Sequence, residues 1–255
     1  MPRLALACEY DGTDFVGWQF QANGRAVQTV LTEAICRVAA ESVIVHGSGR
    51  TDAGVHATGQ IAHFDSSARR NRRQWLLGIN SNLPDDVAVR WITEVPDHFD
   101  ARRSALWREY RYTIALQATR PVRNRRDVWW LREALDCGAM SAAAAAWLGE
   151  HDFSAFRAAH CQSKTPMRRM LSIGIAREAN TIILRFRANA FVYHMVRNLV
   201  GALVAIGSGK EDVGWARSLL ASRDRTFGAV TAPAQGLALV AVAYPTEFGL
   251  PPAEV

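Results

Sequence analysis

In the stretch GSGRTDAGVHATGQIAHFD, residues 47 to 65, a single carboxylate, Asp52, lies between an arginine, Arg50, and a run of small residues. The glycines leave the loop backbone free to approach a substrate closely. One carboxylate beside one guanidinium supports nucleophilic or acid/base catalysis on a polyanion, and the residues alone go no further. Other chemistries fail on residue type. There is no GxxxxGK[ST], and no GxGxxG follows a strand and opens a helix, so a nucleotide cofactor is not expected. His46, His56 and His63 lack the i, i+4 pairing of a helical zinc motif and have no cysteines beside them, so no metal is expected. GSGRT also lacks the second glycine that a GxSxG nucleophile elbow requires.

A second residue is out of place by type. Arg197 sits inside FVYHMVRNLVGALVAIG, a helical stretch apolar on all sides and therefore expected to be mostly buried. A buried guanidinium is tolerated when a carboxylate accepts its forked donors, and removing one partner of such a pair costs about 3–5 kcal/mol. Asp52 is the expected partner, which would place the site in a cleft between the two halves of the chain. The competing reading is that Arg197 snorkels past the helix or meets a purely structural acid.

The elements that must position these residues follow from periodicity. RLALACEY, residues 3–10, alternates and reads as a strand, with DGTD as its turn. Val27, Val30, Leu31, Ala34, Ile35 and Val38 fall at helical spacing. VIVHG and GQIAHFD read as strands on either side of the Asp52 loop, RRQWLLGINSNLP as a helix stopped by proline, and DVAVRWI as a strand. The order is β-α-β-β-α-β. A second such unit begins at residues 108–116, with Tyr110, Tyr112, Ile114 and Leu116 on one face. An alanine-rich helix is expected over 131–148, a hairpin about Asn180, an apolar helix over 191–206, a short helix in KEDVGWARSLLAS and a last strand in GLALVAVAY. The expected fold class is therefore α+β, two tandem ferredoxin- or RRM-like units with a central mixed, mainly antiparallel sheet. The expected domains are 1–104, carrying the Asp52 loop, and 105–255, carrying the tyrosine strand and the arginine helix.

The bulk composition is that of an ordinary globular chain: 255 residues, 49% hydrophobic and 21% charged. No apolar segment reaches the roughly 20 residues of a membrane span, and no signal peptide is visible, so a cytoplasmic location is expected. Cys8, Cys36, Cys137 and Cys161 form no CxxC pair and read as small buried hydrophobes. The formal charge of +6 favours a polyanionic partner. Two arginine runs, Arg69, Arg70, Arg72 and Arg73, and Arg120, Arg123, Arg125 and Arg126, suit either phosphate contacts or a solvated face.

GRTDAGVHATGQIAHF resembles the signature of the TruA-type tRNA pseudouridine synthases, whose single catalytic aspartate is the one in R-T-D. EYDGTDFVGWQFQ, NLPDDVAVRW, REYRY, DFSAFRA, ANAFVYHMVRNLVGAL and RTFGAVTAPAQGLALVAVAY resemble further blocks in family order, so that the likeness covers nearly the whole chain. Where Asp100 stands in FDAR the family usually has histidine. The resemblance implies the pseudouridine synthase fold and isomerisation of uridine to pseudouridine at positions 38, 39 and 40 of the tRNA anticodon stem-loop, without cofactor or metal. It makes Asp52 the essential carboxylate, acting on the ribosyl carbon or on a ribose proton. It assigns Tyr110 to stacking on the flipped base and removal of the C5 proton, and Arg50 to filling the vacated stack or holding a phosphate. Arg197 would keep Asp52 ionised and oriented, and Leu237 would pack against the base. The family also implies a homodimer in which one tRNA touches both subunits. The alternative is a non-catalytic RNA-binding protein of double RRM-like architecture, but neither unit contains an RNP1 segment. A glycosylase or nuclease would share the lone aspartate and basic groove, and its products would distinguish it.

Overall fold

Strand β1 (Arg3–Tyr10) is buried on both faces through its middle, Ala5 and Ala7 as well as Leu4, Leu6 and Cys8, because it is an inner strand and not a half-exposed one. The computed structural model describes residues 1–22, 24–159 and 161–251. The chain divides into two compact units, one of Met1–Arg108 together with the chain from Ala238 onward, the other of Glu109–Leu237.

In the first unit β1 pairs antiparallel with β3 (His56–Asp65) on one side and β4 (Val87–Val95) on the other. The two-residue β2 (His46–Gly47) pairs antiparallel with the far end of β3, His46 opposite His63. Strand β10 (Leu237–Ala243) pairs in parallel with the near end, Ala238 opposite His56. Helix α1 (Val27–Ala39) buries Val27, Leu31, Ala34 and Ile35, the stripe read from its spacing, while Val30 and Val38 stay half-buried. Helix α2 (Arg72–Asn82) starts at a reciprocal capping box: the Asn71 side chain accepts from the Gln74 backbone N–H, and Gln74 returns the bond. It buries Trp75, edge-on to Phe64 at 5.5 Å, and Ile79. The order β1-α1-β2-β3-α2-β4 is the one expected from the sequence.

The second unit carries the strand order β5-β9-β8-β7, formed by β5 (Trp107–Leu116), β9 (Thr181–Ala188), β8 (Met167–Glu178) and β7 (Gly149–Asp152). Strands β8 and β9 form the hairpin expected about Asn180. A short strand, β6 (Trp129–Leu131), lies parallel to β5. Helices α3 (Cys137–Ala144), α4 (Met195–Gly207) and α5 (Trp215–Ser222) complete the unit. The mixed α+β class holds, and two helix boundaries are corrected. The alanine-rich helix begins at Cys137, not near 131, because Trp129–Leu131 are taken by β5 and the Asp136 carboxylate caps the helix on the Ala139 N–H. The apolar helix begins at Met195, not 191, because His194 adopts a left-handed backbone, φ 60°, that cannot continue a helix. All four cysteines are free, and only Cys8 is fully buried; Cys36, Cys137 and Cys161 are half-buried, not core as expected. Among the described residues no helix is long and apolar enough to cross a membrane.

Candidate active site

Asp52 lies in the loop between β2 and β3, half-buried, and that loop is fixed from below by a polar network. The fully buried Gln60, on β3, accepts from the Ser48 hydroxyl at 2.6 Å and donates to the Gly49 carbonyl at 2.8 Å. Gln60 also donates to the Tyr10 hydroxyl at 3.4 Å, which shares a 2.9 Å hydrogen bond with the hydroxyl of Thr51. Each such bond contributes on the order of 1 kcal/mol, but an orphaned partner at this depth would cost more, so the network holds the loop in one arrangement. Arg108, itself buried, donates to the Ser48 carbonyl at 2.8 Å and to the Arg102 carbonyl at 2.5 Å.

The turn after β1 braces the other side of the loop. The Trp18 N–H donates to the Thr51 carbonyl at 3.1 Å, the Gly54 N–H to Phe15, and Gly17 bridges to Asp52. At Gly17 φ is +112°, and a β-carbon there would stand 2.5 Å from the Thr51 carbonyl oxygen. Only glycine allows this approach. The backbone on both sides of the carboxylate is thereby set by residues 10–18.

Arg50 is exposed in the same loop, its guanidinium held below its ordinary pKa by partial desolvation and then by the charge of Arg102. It stays cationic, so Arg50 and Arg102 give the first unit a positive rim near the loop. Asp100 has a local role: its carboxylate accepts the N–H groups of Arg102 and Arg103, both at 2.8 Å, and these bonds hold its pKa below the usual carboxylate range against the opposing effect of burial. A turn cap explains an aspartate there. Burial pushes the His63 imidazole down to about 4, helped by His46 stacked on it at 5.1 Å, and its Nδ1 accepts the Ala101 N–H at 3.1 Å.

In the second unit Tyr110 is buried on β5, edge-on to Phe191 at 5.1 Å. Two residues on, Tyr112 is fully buried with its hydroxyl donating to the Pro233 carbonyl at 2.8 Å, and burial raises its pKa far above that of a free phenol. Arg197 is half-buried, less than expected from the apolar helix around it. Its Nε donates to the Ala232 carbonyl at 2.8 Å, its backbone carbonyl accepts the Ala232 N–H, and one terminal nitrogen lies 3.2 Å from His194 Nε2. The strap that carries Ala232 is held by buried Asn198, which accepts from Thr231 at 2.7 Å and Arg225 at 3.1 Å. It lies against Gly201 so closely that a β-carbon would overlap the Val230 carbonyl. Leu237 is buried at the start of β10.

Asp52 and Arg50 therefore share one loop of the first unit, while Tyr110, Arg197 and Leu237 belong to the second. Sequence reading missed the Ser48–Gln60–Tyr10–Thr51 network, Arg108 and His194. Polar residues at strand positions, such as Gln60 amid GQIAHF, were the available signal. The two arginine runs, at 69–73 and 120–126, are exposed. No group of three or more His, Cys, Asp or Glu among the described residues is placed to hold a metal ion.

A family model described as tRNA pseudouridine synthase matches residues 6–102 and 143–245. The tRNA pseudouridine synthase A of Methylococcus capsulatus is 50% identical over 248 residues, covering 97% of this chain and 92% of that protein. That of Alcanivorax borkumensis is 49% identical over 252 residues, covering 98% and 94%. That of Escherichia fergusonii is 48% identical over 249 residues, covering 98% and 92%.

Proposed function

We propose, for a chain that belongs to the tRNA pseudouridine synthase family, that it isomerises uridine to pseudouridine in tRNA with Asp52 as the essential carboxylate. The observation that carries this reading is the Asp52 loop, a lone carboxylate whose flanking backbone is fixed by the buried network and by Gly17. Such bracing suits a group that acts by position. The bond from N1 to the ribosyl carbon breaks, the uracil turns, a bond from C5 to that carbon forms, and the C5 proton leaves while N1 gains one. Substrate and product contain the same atoms, so the enzyme is an isomerase.

The target base must leave its stack, at a cost of a few kcal/mol. Arg50, exposed beside the carboxylate, fills the gap or holds the flanking phosphate. Tyr110 stacks on the base and serves removal of the C5 proton, Leu237 packs against it, and Arg197 keeps Asp52 ionised. The anticodon stem-loop, at positions 38, 39 and 40, is the proposed target, in the cytoplasm and by a homodimer. Asp52 acts on the ribosyl carbon or on a ribose proton.

The test uses an unmodified tRNA transcript tritiated at uridine C5, with wild type and Asp52→Asn. Wild type is expected to release tritium and form pseudouridine at 38–40 with the RNA left intact, and Asp52→Asn to lose both the release and the pseudouridine. RNA binding without release would favour the non-catalytic alternative, and free uracil would favour a glycosylase.

A further inference from the structure

We propose that His194 is a positioning residue, a neutral imidazole whose Nε2 holds one terminal nitrogen of the Arg197 guanidinium. The inference rests on the reading that Arg197 serves the reaction. Three observations within the second unit carry it.

First, His194 is the N-cap of α4, a position that commonly uses a short side chain to accept helix N–H groups, yet its side chain makes no cap bond. The imidazole lies 3.2 Å from the guanidinium one turn on instead, at the i, i+3 spacing that brings side chains together. A guanidinium has only donors, so Nε2 must be the acceptor and the ring proton must sit on Nδ1.

Second, the backbone at His194 is left-handed, φ 60°, one of four non-glycine residues with positive φ among those described. Ala40 and Arg223 are helix C-caps and Ala179 lies in the β8–β9 turn, whereas His194 opens a helix, where a left-handed residue is held by its surroundings. The surroundings are present. The Tyr193 carbonyl accepts the Ala158 N–H at 3.0 Å, the Tyr193 N–H donates to Cys161 Sγ at 3.4 Å, and the Tyr193 ring packs on the imidazole at 4.0 Å between centroids.

Third, the same guanidinium is held from another direction by the Ala232 carbonyl on Nε. Two acceptors on two nitrogens fix both the position and the plane of the fork, and one alone leaves rotation about the bond it makes. Orientation of a planar donor set decides how well it meets a carboxylate or phosphate.

The test compares His194→Gly, which adopts the left-handed backbone without strain but has no acceptor, with His194→Asn and His194→Gln. Asparagine tolerates the backbone, and its Oδ1 falls near the Nδ1 position, short of Arg197; glutamine reaches the Nε2 position. Expected for the glycine and asparagine variants are melting temperatures within a few degrees of wild type and KM for tRNA within about two-fold. Their kcat for tritium release falls roughly ten- to hundred-fold, the range for a hydrogen bond to a charged group. Glutamine recovers part of that loss. Wild-type kcat in His194→Gly, or equal loss in the glycine and glutamine variants, overturns the proposal. Should His194→Gly fail to fold, His194→Asn takes its place in both comparisons; should His194→Gln fail to fold, wild-type kcat in His194→Gly or His194→Asn still overturns the proposal. Absence of tritium release from wild type itself would instead count against the catalytic reading.

Discussion

Gly17→Ala tests whether the Asp52 loop works because its backbone is fixed. At +112° the backbone is one that an alanine adopts only under strain, roughly 1–3 kcal/mol. The new β-carbon would stand 2.5 Å from the Thr51 carbonyl oxygen, and relieving it to the 3.4 Å of ordinary contact moves that carbonyl by about 0.9 Å. The displaced peptide is the one that leads into Asp52. A misplacement of about 1 Å costs on the order of a hundredfold in rate, so kcat for tritium release should fall by about that factor. The melting temperature should fall by several degrees. Gly174→Ala, on β8 and outside that loop, is the control: a β-carbon there would meet no atom within 4 Å and its φ is not positive, so kcat and melting temperature should stay at wild type. Wild-type kcat in Gly17→Ala, or equal loss in Gly174→Ala, would refute the link between backbone placement and catalysis.

Stability should fall with acidification in a defined window. The His63 pKa is depressed to about 4, so its contribution is fully present above its ordinary value near 6.5 and is lost as pH falls toward 4, up to about 3 kcal/mol; urea unfolding from pH 7.5 to 4.5 should show the slope and His63→Gln should flatten it. Glu109, with a side chain 4% exposed, binds Arg185 at 3.2 Å and Arg187 at 2.7 Å. Because those arginines are 41% and 34% exposed and can turn to water, Glu109→Gln should cost about 1–2 kcal/mol in urea unfolding, less than for a fully buried pair. Gly201→Ala should lift the strap from α4 and weaken the Ala232 hold on Arg197, lowering kcat about tenfold with far-UV circular dichroism retained.

The elements legible in the sequence were those whose local pattern and final environment agree. Helix α1 declared itself by spacing, α2 by the proline beyond Asn82, and the β8–β9 hairpin by its turn. The errors arose where a distant partner overrode propensity. Five alanines in a row favour helix, but Trp129–Leu131 upstream are claimed by β5, a pairing that the two strand-favouring tryptophans allow and that the partner strand selects. At 191–194 no glycine or proline interrupts the apolar run that leads into the helix, and the left-handed His194 follows a residue, Tyr193, whose backbone is bonded to Ala158 and Cys161, far away in the chain. The carboxylate itself was visible because its neighbours are so unlike a strand or a helix. Its supports were not visible, since Ser48, Gln60, Tyr10 and Thr51 are scattered over four positions with nothing to link them until β1 lies beside β3.

The division of labour within the first unit explains that asymmetry. A reacting carboxylate is a chemical type and so can be read from a string of letters, whereas its placement is a set of distances that exists only after folding. Here the distances are set by β1 and the turn that follows it: Tyr10 binds Thr51, Trp18 binds the Thr51 carbonyl, and Gly17 abuts the same peptide. Three contacts converge on the residue before Asp52. Conformational freedom removed there during folding need not be removed when substrate binds, so on the role proposed for Asp52 the rigid turn at 10–18 would lower the barrier without touching the substrate. By this reasoning, substitutions in that turn should impair turnover more than tRNA affinity.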